Sequence, residues 1–236
     1  MLCCLPAFLS GAAGAETCSI NMKAVNGGVS YSHTQPCSTG EQNNFSGPVK
    51  MRGRGPTREI IFTSLLNEGD EGGFRLDYQF DVVGENSARP PFRVGGKVML
   101  RPGKQVLAAS AGGWKYYLEL EADSNVEKFE GEDHTVEARL KCGRSSFPVS
   151  FTYLPDEQYS AVLFKESGDT VEKFMIGLLP NSPGVDGTFG LQYTVLLKEG
   201  AEIVSSAQGK LVLSPDGEQE TASAGKGCVF SAKASR

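Results

Sequence analysis

Apolar and polar residues alternate along most of this chain with a period of two. From Phe74 to Val82 the apolar set Phe74, Leu76, Tyr78, Phe80 and Val82 is interleaved with Arg75, Asp77, Gln79 and Asp81. Side chains of an extended strand point alternately to its two faces, so this segment predicts a strand with one dry face and one wet face. The pattern returns at Trp114, Tyr116, Leu118 and Leu120, at Val136, Ala138, Leu140 and Cys142, and at Phe147, Val149, Phe151 and Tyr153. Turn-forming clusters separate the runs: Arg101-Pro102-Gly103-Lys104, Ala111-Gly112-Gly113, Pro183-Gly184 and Ser214-Pro215-Asp216-Gly217. No long segment carries an apolar stripe of helical period, so the expectation is an all-β protein of antiparallel sheets.

An internal repeat organises these strands. A shift of 113 residues lays Gly96-Lys97-Val98-Met99-Leu100-Arg101-Pro102 over Gly209-Lys210-Leu211-Val212-Leu213-Ser214-Pro215, and Ala109-Ser110-Ala111-Gly112 over Ala222-Ser223-Ala224-Gly225. Eight of the 17 positions from Gly96 to Gly112 are then identical. With two residues of slippage, Phe74-Arg75-Leu76-Asp77-Tyr78 falls on Phe189-Gly190-Leu191-Gln192-Tyr193. The same elements occur in the same order, which predicts a duplication: two tandem antiparallel β-sandwich domains, immunoglobulin-like or jelly-roll-like, over residues 16–128 and 129–236. The polar stretch 123–133 would join them. The competing reading is one large sandwich whose strands share hairpin turn chemistry.

The start of the chain bears on its compartment. Residues 2–9 are mostly apolar and are followed by small residues ending Ala13-Gly14-Ala15, the pattern of a signal peptide over residues 1–15, although no Lys or Arg precedes the apolar stretch. Beyond residue 15 no apolar run approaches the roughly 20 residues of a membrane-spanning helix, so no transmembrane segment is expected in the mature chain. A periplasmic or secreted location follows, and it changes the meaning of the cysteines. Cys3 and Cys4 would leave with the signal, while Cys18, Cys37, Cys142 and Cys228 would form disulfides in an oxidising compartment. Gly27-Gly28 predicts a hairpin that brings Cys18 to Cys37. In the second copy Cys142 lies on the first strand and Cys228 on the last, which predicts the other pair.

Composition narrows the chemistry. With 39% hydrophobic residues in 236, the chain can bury a core, and a net charge of −5 opposes binding to nucleic acid. The two histidines, His33 and His134, stand in unrelated contexts: His33 reads as a surface-loop residue, and His134 beside Asp133 lacks the surroundings of a catalytic triad. Zinc-hydrolase, phosphate-loop and dinucleotide signatures are missing, so no cofactor, metal or catalytic residue is expected. Glu68, Asp70 and Glu71, set among glycines, form at most a weak calcium loop. Trp114 and Tyr116 fall in phase with Leu118 and Leu120, which leaves Tyr117 as the outward aromatic. Together with the basic segment Arg52, Arg54 and Arg58, Tyr117 is the candidate binding surface.

The function these readings favour is that of an exported, non-catalytic binding or structural protein of the cell envelope, an adaptor or assembly component working on another envelope or secreted protein. The alternative is a carbohydrate-active sandwich, either a glycan-binding module or a glycosidase with an Asp/Glu pair.

Overall fold

The computed structural model describes residues 18–50, 57–69, 73–84, 92–122, 134–167, 170–215, 217–225 and 227–235. The predicted signal peptide and the 123–133 junction, with its 128/129 division, lie outside them. The first half of the chain runs through β1 (Cys18–Asn26), β2 (Val29–Cys37), β3 (Gln42–Lys50), β4 (Thr57–Glu68), β5 (Phe74–Gly84), β6 (Phe92–Leu100), β7 (Gln105–Ala111) and β8 (Trp114–Ala122). The second half runs through β9 (Thr135–Cys142), β10 (Ser145–Thr152), β11 (Tyr159–Ser167), β12 (Thr170–Pro180), β13 (Phe189–Glu199), β14 (Glu202–Leu213), β15 (Glu220–Ser223) and β16 (Cys228–Ser235).

These strands form two antiparallel sheets of eight, packed as a sandwich. Sheet A has the order β15-β16-β9-β10-β7-β8-β1-β2 and sheet B the order β14-β13-β12-β11-β6-β5-β4-β3. Adding eight to each label of β7-β8-β1-β2 yields β15-β16-β9-β10, and β6-β5-β4-β3 becomes β14-β13-β12-β11 in the same way. Each half therefore contributes four strands to each sheet, in the same order. The halves meet along a seam, where β11 pairs with β6 in sheet B and β10 with β7 in sheet A.

Register explains the residues that recur in the sequence. Phe74 lies opposite Leu100, Leu76 opposite Val98 and Tyr78 opposite Gly96. In the second half Phe189 lies opposite Leu213, Leu191 opposite Leu211 and Tyr193 opposite Gly209. The two recurring motifs are thus adjacent strands of one hairpin, and each glycine leaves room for a tyrosine ring, Gly96 for Tyr159 of the other half and Gly209 for Tyr193. After each such hairpin a proline carries the chain to the other sheet: Pro102 bridges Leu120, and Pro215 bridges Ala234.

One hydrophobic core runs continuously between the sheets, and both Leu100 and Leu213 belong to it. Leu76, Tyr78, Phe80, Trp114, Tyr116 and Leu118 are all buried, on the face that their alternation predicts. A column of rings crosses the sandwich: Phe62 on Phe80 at 4.8 Å, Phe80 on Tyr116 at 4.2 Å, and Tyr116 beside Trp114 at 6.4 Å. Such offset contacts add to the apolar area removed from water.

Cys18 is bonded to Cys37 and Cys142 to Cys228, each pair directly opposed on neighbouring strands with Cα atoms 5.2 and 4.2 Å apart. Gly27 and Gly28, with φ of 52° and 87°, make the β1–β2 turn, a geometry that suits the strand twist and that side chains resist. His33 departs from its predicted place in a loop. It sits within β2, half-buried, its ring 3.4 Å from that of Phe45, and burial lowers its pKa.

Candidate binding surface

Alternation that buries one face of most strands presents the other face to solvent, and the outward faces carry the candidate chemistry. On sheet B the outward residues of β11 to β14 line a shallow groove of about 990 Å3, with Met175, Gly177, Leu179, Thr194 and Gln192 across it and Gln208 and Lys210 at the β14 side. A side chain at Gly177 would meet only the Gln158 Nε2, 3.9 Å away, so this glycine leaves open space rather than relieving a clash. A second groove of about 510 Å3 lies over β3 to β6 and is lined by Thr63, Asp77, Gln79 and Lys97. The two adjoin at Gln158 and Ser160, on the seam between the halves. Apolar atoms make up the larger part of this surface, and Thr63, Gln158, Gln192, Thr194 and Gln208 supply amide and hydroxyl donors and acceptors across it.

Charged side chains near the seam are engaged with one another. Lys97 Nζ lies 2.8 Å from Glu157 Oε2 and 3.9 Å from Asp77 Oδ2, while Arg75 Nη1 lies 3.4 Å from Glu157 Oε1. Glu157 belongs to the second half and its partners to the first, so this network ties the halves together. Asp81 accepts two hydrogen bonds from Arg93, from Nε at 2.5 Å and Nη2 at 3.0 Å, and a third from Gln79. Such forked pairing is the strong form of an Arg–carboxylate contact, and it lifts the Arg93 pKa further.

Ser145, Lys165 and Glu172 form a third cluster, which joins sheet A to sheet B. Ser145 Oγ donates to Glu172 Oε2 at 3.0 Å and accepts from Lys165 Nζ at 2.9 Å. A serine beside a lysine invites comparison with a nucleophile and its base. Here the ammonium also lies within 3.9 Å of the Glu172 carboxylate, so the three side chains form one hydrogen-bonded, charge-paired cluster.

The residues singled out from sequence do not gather on one surface. Tyr117 is half-buried on the outward phase of β8, opposite Lys23 and Leu107 in sheet A. Arg58 stands at the start of β4 in sheet B, half-buried and on the same phase as Ile60 and Phe62. Arg52 and Arg54 lie outside the described residues, as do Asp70 and Glu71 of the calcium loop. Among the described residues no three acidic, histidine or cysteine side chains are arranged to hold a metal, and no helix is long and apolar enough to cross a membrane.

The sheet B grooves were not legible as a site because their lining is scattered. Gln158, Gly177, Gln192 and Gln208 come from four separate segments, and the one available signal was a run of uncharged outward positions on consecutive strands. Compared with protein families, characterised proteins and solved structures, the chain matches none of them.

Proposed function

We propose that the chain is an exported, non-catalytic binding or structural protein of the cell envelope, built from a duplicated sandwich module and acting as an adaptor or assembly component. The observation that carries this reading is the pair of open ends. Among the described residues β14 and β15 are the outermost strands at one end and β2 and β3 at the other, and each presents one row of main-chain donors and acceptors that no described strand pairs. Edges of this kind take up extended segments of a protein partner by strand addition. The two disulfides suit a periplasmic or secreted setting. The shared strand order of the halves supports duplication, with a division at 128/129. Each half is jelly-roll-like in strand number, with a four-strand meander facing two hairpins.

A glycan-binding role is the second reading, favoured by the amide and hydroxyl lining of the sheet B grooves. The carboxylates nearest to them, Asp77 and Glu157, both reach Lys97, which weighs against their use as a glycosidase pair. The test immobilises the exported chain and challenges it with an envelope protein fraction and, separately, with an array of envelope glycans. Retention of a defined envelope protein is expected. Glycan retention that is lost in Gly177→Val would move the assignment to the second reading, and retention of neither would overturn both.

A further inference from the structure

The seam inside the molecule specifies which edge pairs with which. In sheet B, β6 pairs with β11 through Phe92 opposite Leu163, Arg93 opposite Val162, Val94 opposite Ala161 and Gly95 opposite Ser160. In sheet A, β7 pairs with β10 through Ala109 opposite Phe151, Ser110 opposite Ser150 and Ala111 opposite Val149. The counterparts of β6 and β7 in the second half are β14 and β15, and the counterparts of β11 and β10 in the first half are β3 and β2. Among the described residues these four strands are the free edges at the two ends of the sheets. The edge types that join the halves are therefore both left open, one at each end.

We propose that copies of this chain associate head to tail, the β14/β15 edge of one copy pairing with the β2/β3 edge of the next in the arrangement of the internal seam. Transferring the seam register places Ser205, Ser206, Ala207 and Gln208 opposite Gly47, Ser46, Phe45 and Asn44 of the next copy. In the other sheet Ala222, Ser223 and Ala224 fall opposite Gln35, Thr34 and His33. This inference rests on the reading of the chain as a binding or structural protein and names its partner as a second copy.

Three observations favour that partner. Tyr31 and Phe45 at one end, and Ala207 and Ala222 at the other, pack against the core yet stay partly exposed. Their seam counterparts Phe147, Ala161, Val94 and Ala109 are 4%, 1%, 0% and 0% exposed, so association would complete a burial that the seam already achieves. The opposed pairs also fit. Val94 over Ala161 becomes Ala207 over Phe45, exchanging large for small, Ser110 over Ser150 becomes Ser223 over Thr34, and no like charges meet. Finally, Pro36 and Pro48, the residues of these edges that cannot donate to a ladder, each lie one place beyond the pairing segments. Since the two edges differ, pairing leaves a free edge of each kind, and growth continues into a linear assembly instead of stopping at a dimer.

The test places Ser46→Cys and Ser206→Cys, which face each other in the transferred register, in one full-length exported chain whose native disulfides are intact. Mild oxidation should give a ladder of covalent multimers, and a mixture of the two single variants should give one covalent dimer. The unmodified chain should gain mass with concentration in sedimentation, and Ala207→Glu or Ser223→Glu, at opposite sheets of the same end, should abolish that gain while leaving the circular dichroism unchanged. A monomer at all concentrations would overturn the inference, as would cross-linking of Ser206→Cys to itself. A monomer that still retains an envelope protein would overturn this inference alone. Multimers that retain nothing else would support it and remove the adaptor role.

Discussion

The Tyr78 hydroxyl donates a hydrogen bond of 2.8 Å to the carbonyl of Ala108, crossing from sheet B to sheet A through the core. The need for this bond arises in β7. There Leu107 pairs with Tyr117 and Ala109 with Tyr116, so Ala108 is a bulge residue with no partner opposite it on β8. Ala108 is fully buried, and an unpaired buried carbonyl is costly. Burial and the neighbouring Tyr159 hold the Tyr78 pKa well above its usual value, which keeps the donor proton in place.

Tyr78→Phe should therefore destabilise the fold by about 1–3 kcal/mol, the cost of stranding a buried acceptor. Tyr117→Phe, on the outward phase of β8, should stay within about 0.5 kcal/mol. Urea unfolding of both variants decides the point, and equal midpoints would mean that Ala108 is satisfied in another way.

Truncating the ring column should cost more. Phe80 lies between Phe62 and Tyr116, and Trp114 is fully buried beside Tyr116. Phe80→Ala and Trp114→Ala should each cost about 3–5 kcal/mol in equilibrium denaturation. A loss below about 1 kcal/mol would show that the column collapses around the gap without consequence.

The disulfides should differ in worth because they close loops of different length. Sequence separations of 19 and 86 correspond, in the chain-entropy view, to about 3 and about 4.5 kcal/mol. Cys142→Ser with Cys228→Ser should thus lower the unfolding temperature more than Cys18→Ser with Cys37→Ser. The reverse order would mean that native contacts, not loop closure, set the effect.

Alkali should unfold the protein through its tyrosines. Burial raises the pKa of Tyr78, Tyr116 and Tyr159 and pushes that of Tyr153 up to about 12. A phenol whose folded pKa is raised stabilises the fold fully below the unfolded value near 10, and that stability is lost as pH climbs through the folded value. Stability should be insensitive to these groups from neutrality to about pH 10 and fall steeply above it. Phenolate absorbance should then rise together with loss of circular dichroism, whereas ionisation of all seven tyrosines before unfolding would contradict the burial.

Gly177→Val should leave the fold intact or slightly firmer, because the new side chain enters open space on a strand that favours β-branched residues. Thermal unfolding checks this directly. A marked loss of stability would show that the groove floor cannot hold a side chain, and the variant would then be unfit as a probe of glycan binding.

Much of this architecture was legible in the linear pattern because strands declare themselves locally. The period of two assigns a face to Phe80 and Trp114 without knowledge of their partners, and Gly27-Gly28 allows the turn that sets Cys18 against Cys37. The repeat of Gly96-Lys97 at Gly209-Lys210 was readable for a similar reason, since one hairpin register imposes the same residue at the same place twice. Three things were not readable. Whether β11 adds to the edge of β6, making two sheets of eight, depends on contacts between residues far apart in the chain, which alternation does not encode. Arg58 reads from sequence as part of an exposed basic loop, whereas it stands half-buried in β4 on the phase of Ile60 and Phe62. The grooves at Gln158 and Gly177 exist only where four segments are laid side by side. The chain's own order thus determined the strands, their inward faces and the pairing of Cys18 with Cys37, because these follow from backbone geometry and short-range register. Only the tertiary structure decided how the edges meet, because every strand edge offers the same main-chain donors and acceptors, and the choice among them is made by the packing of distant side chains.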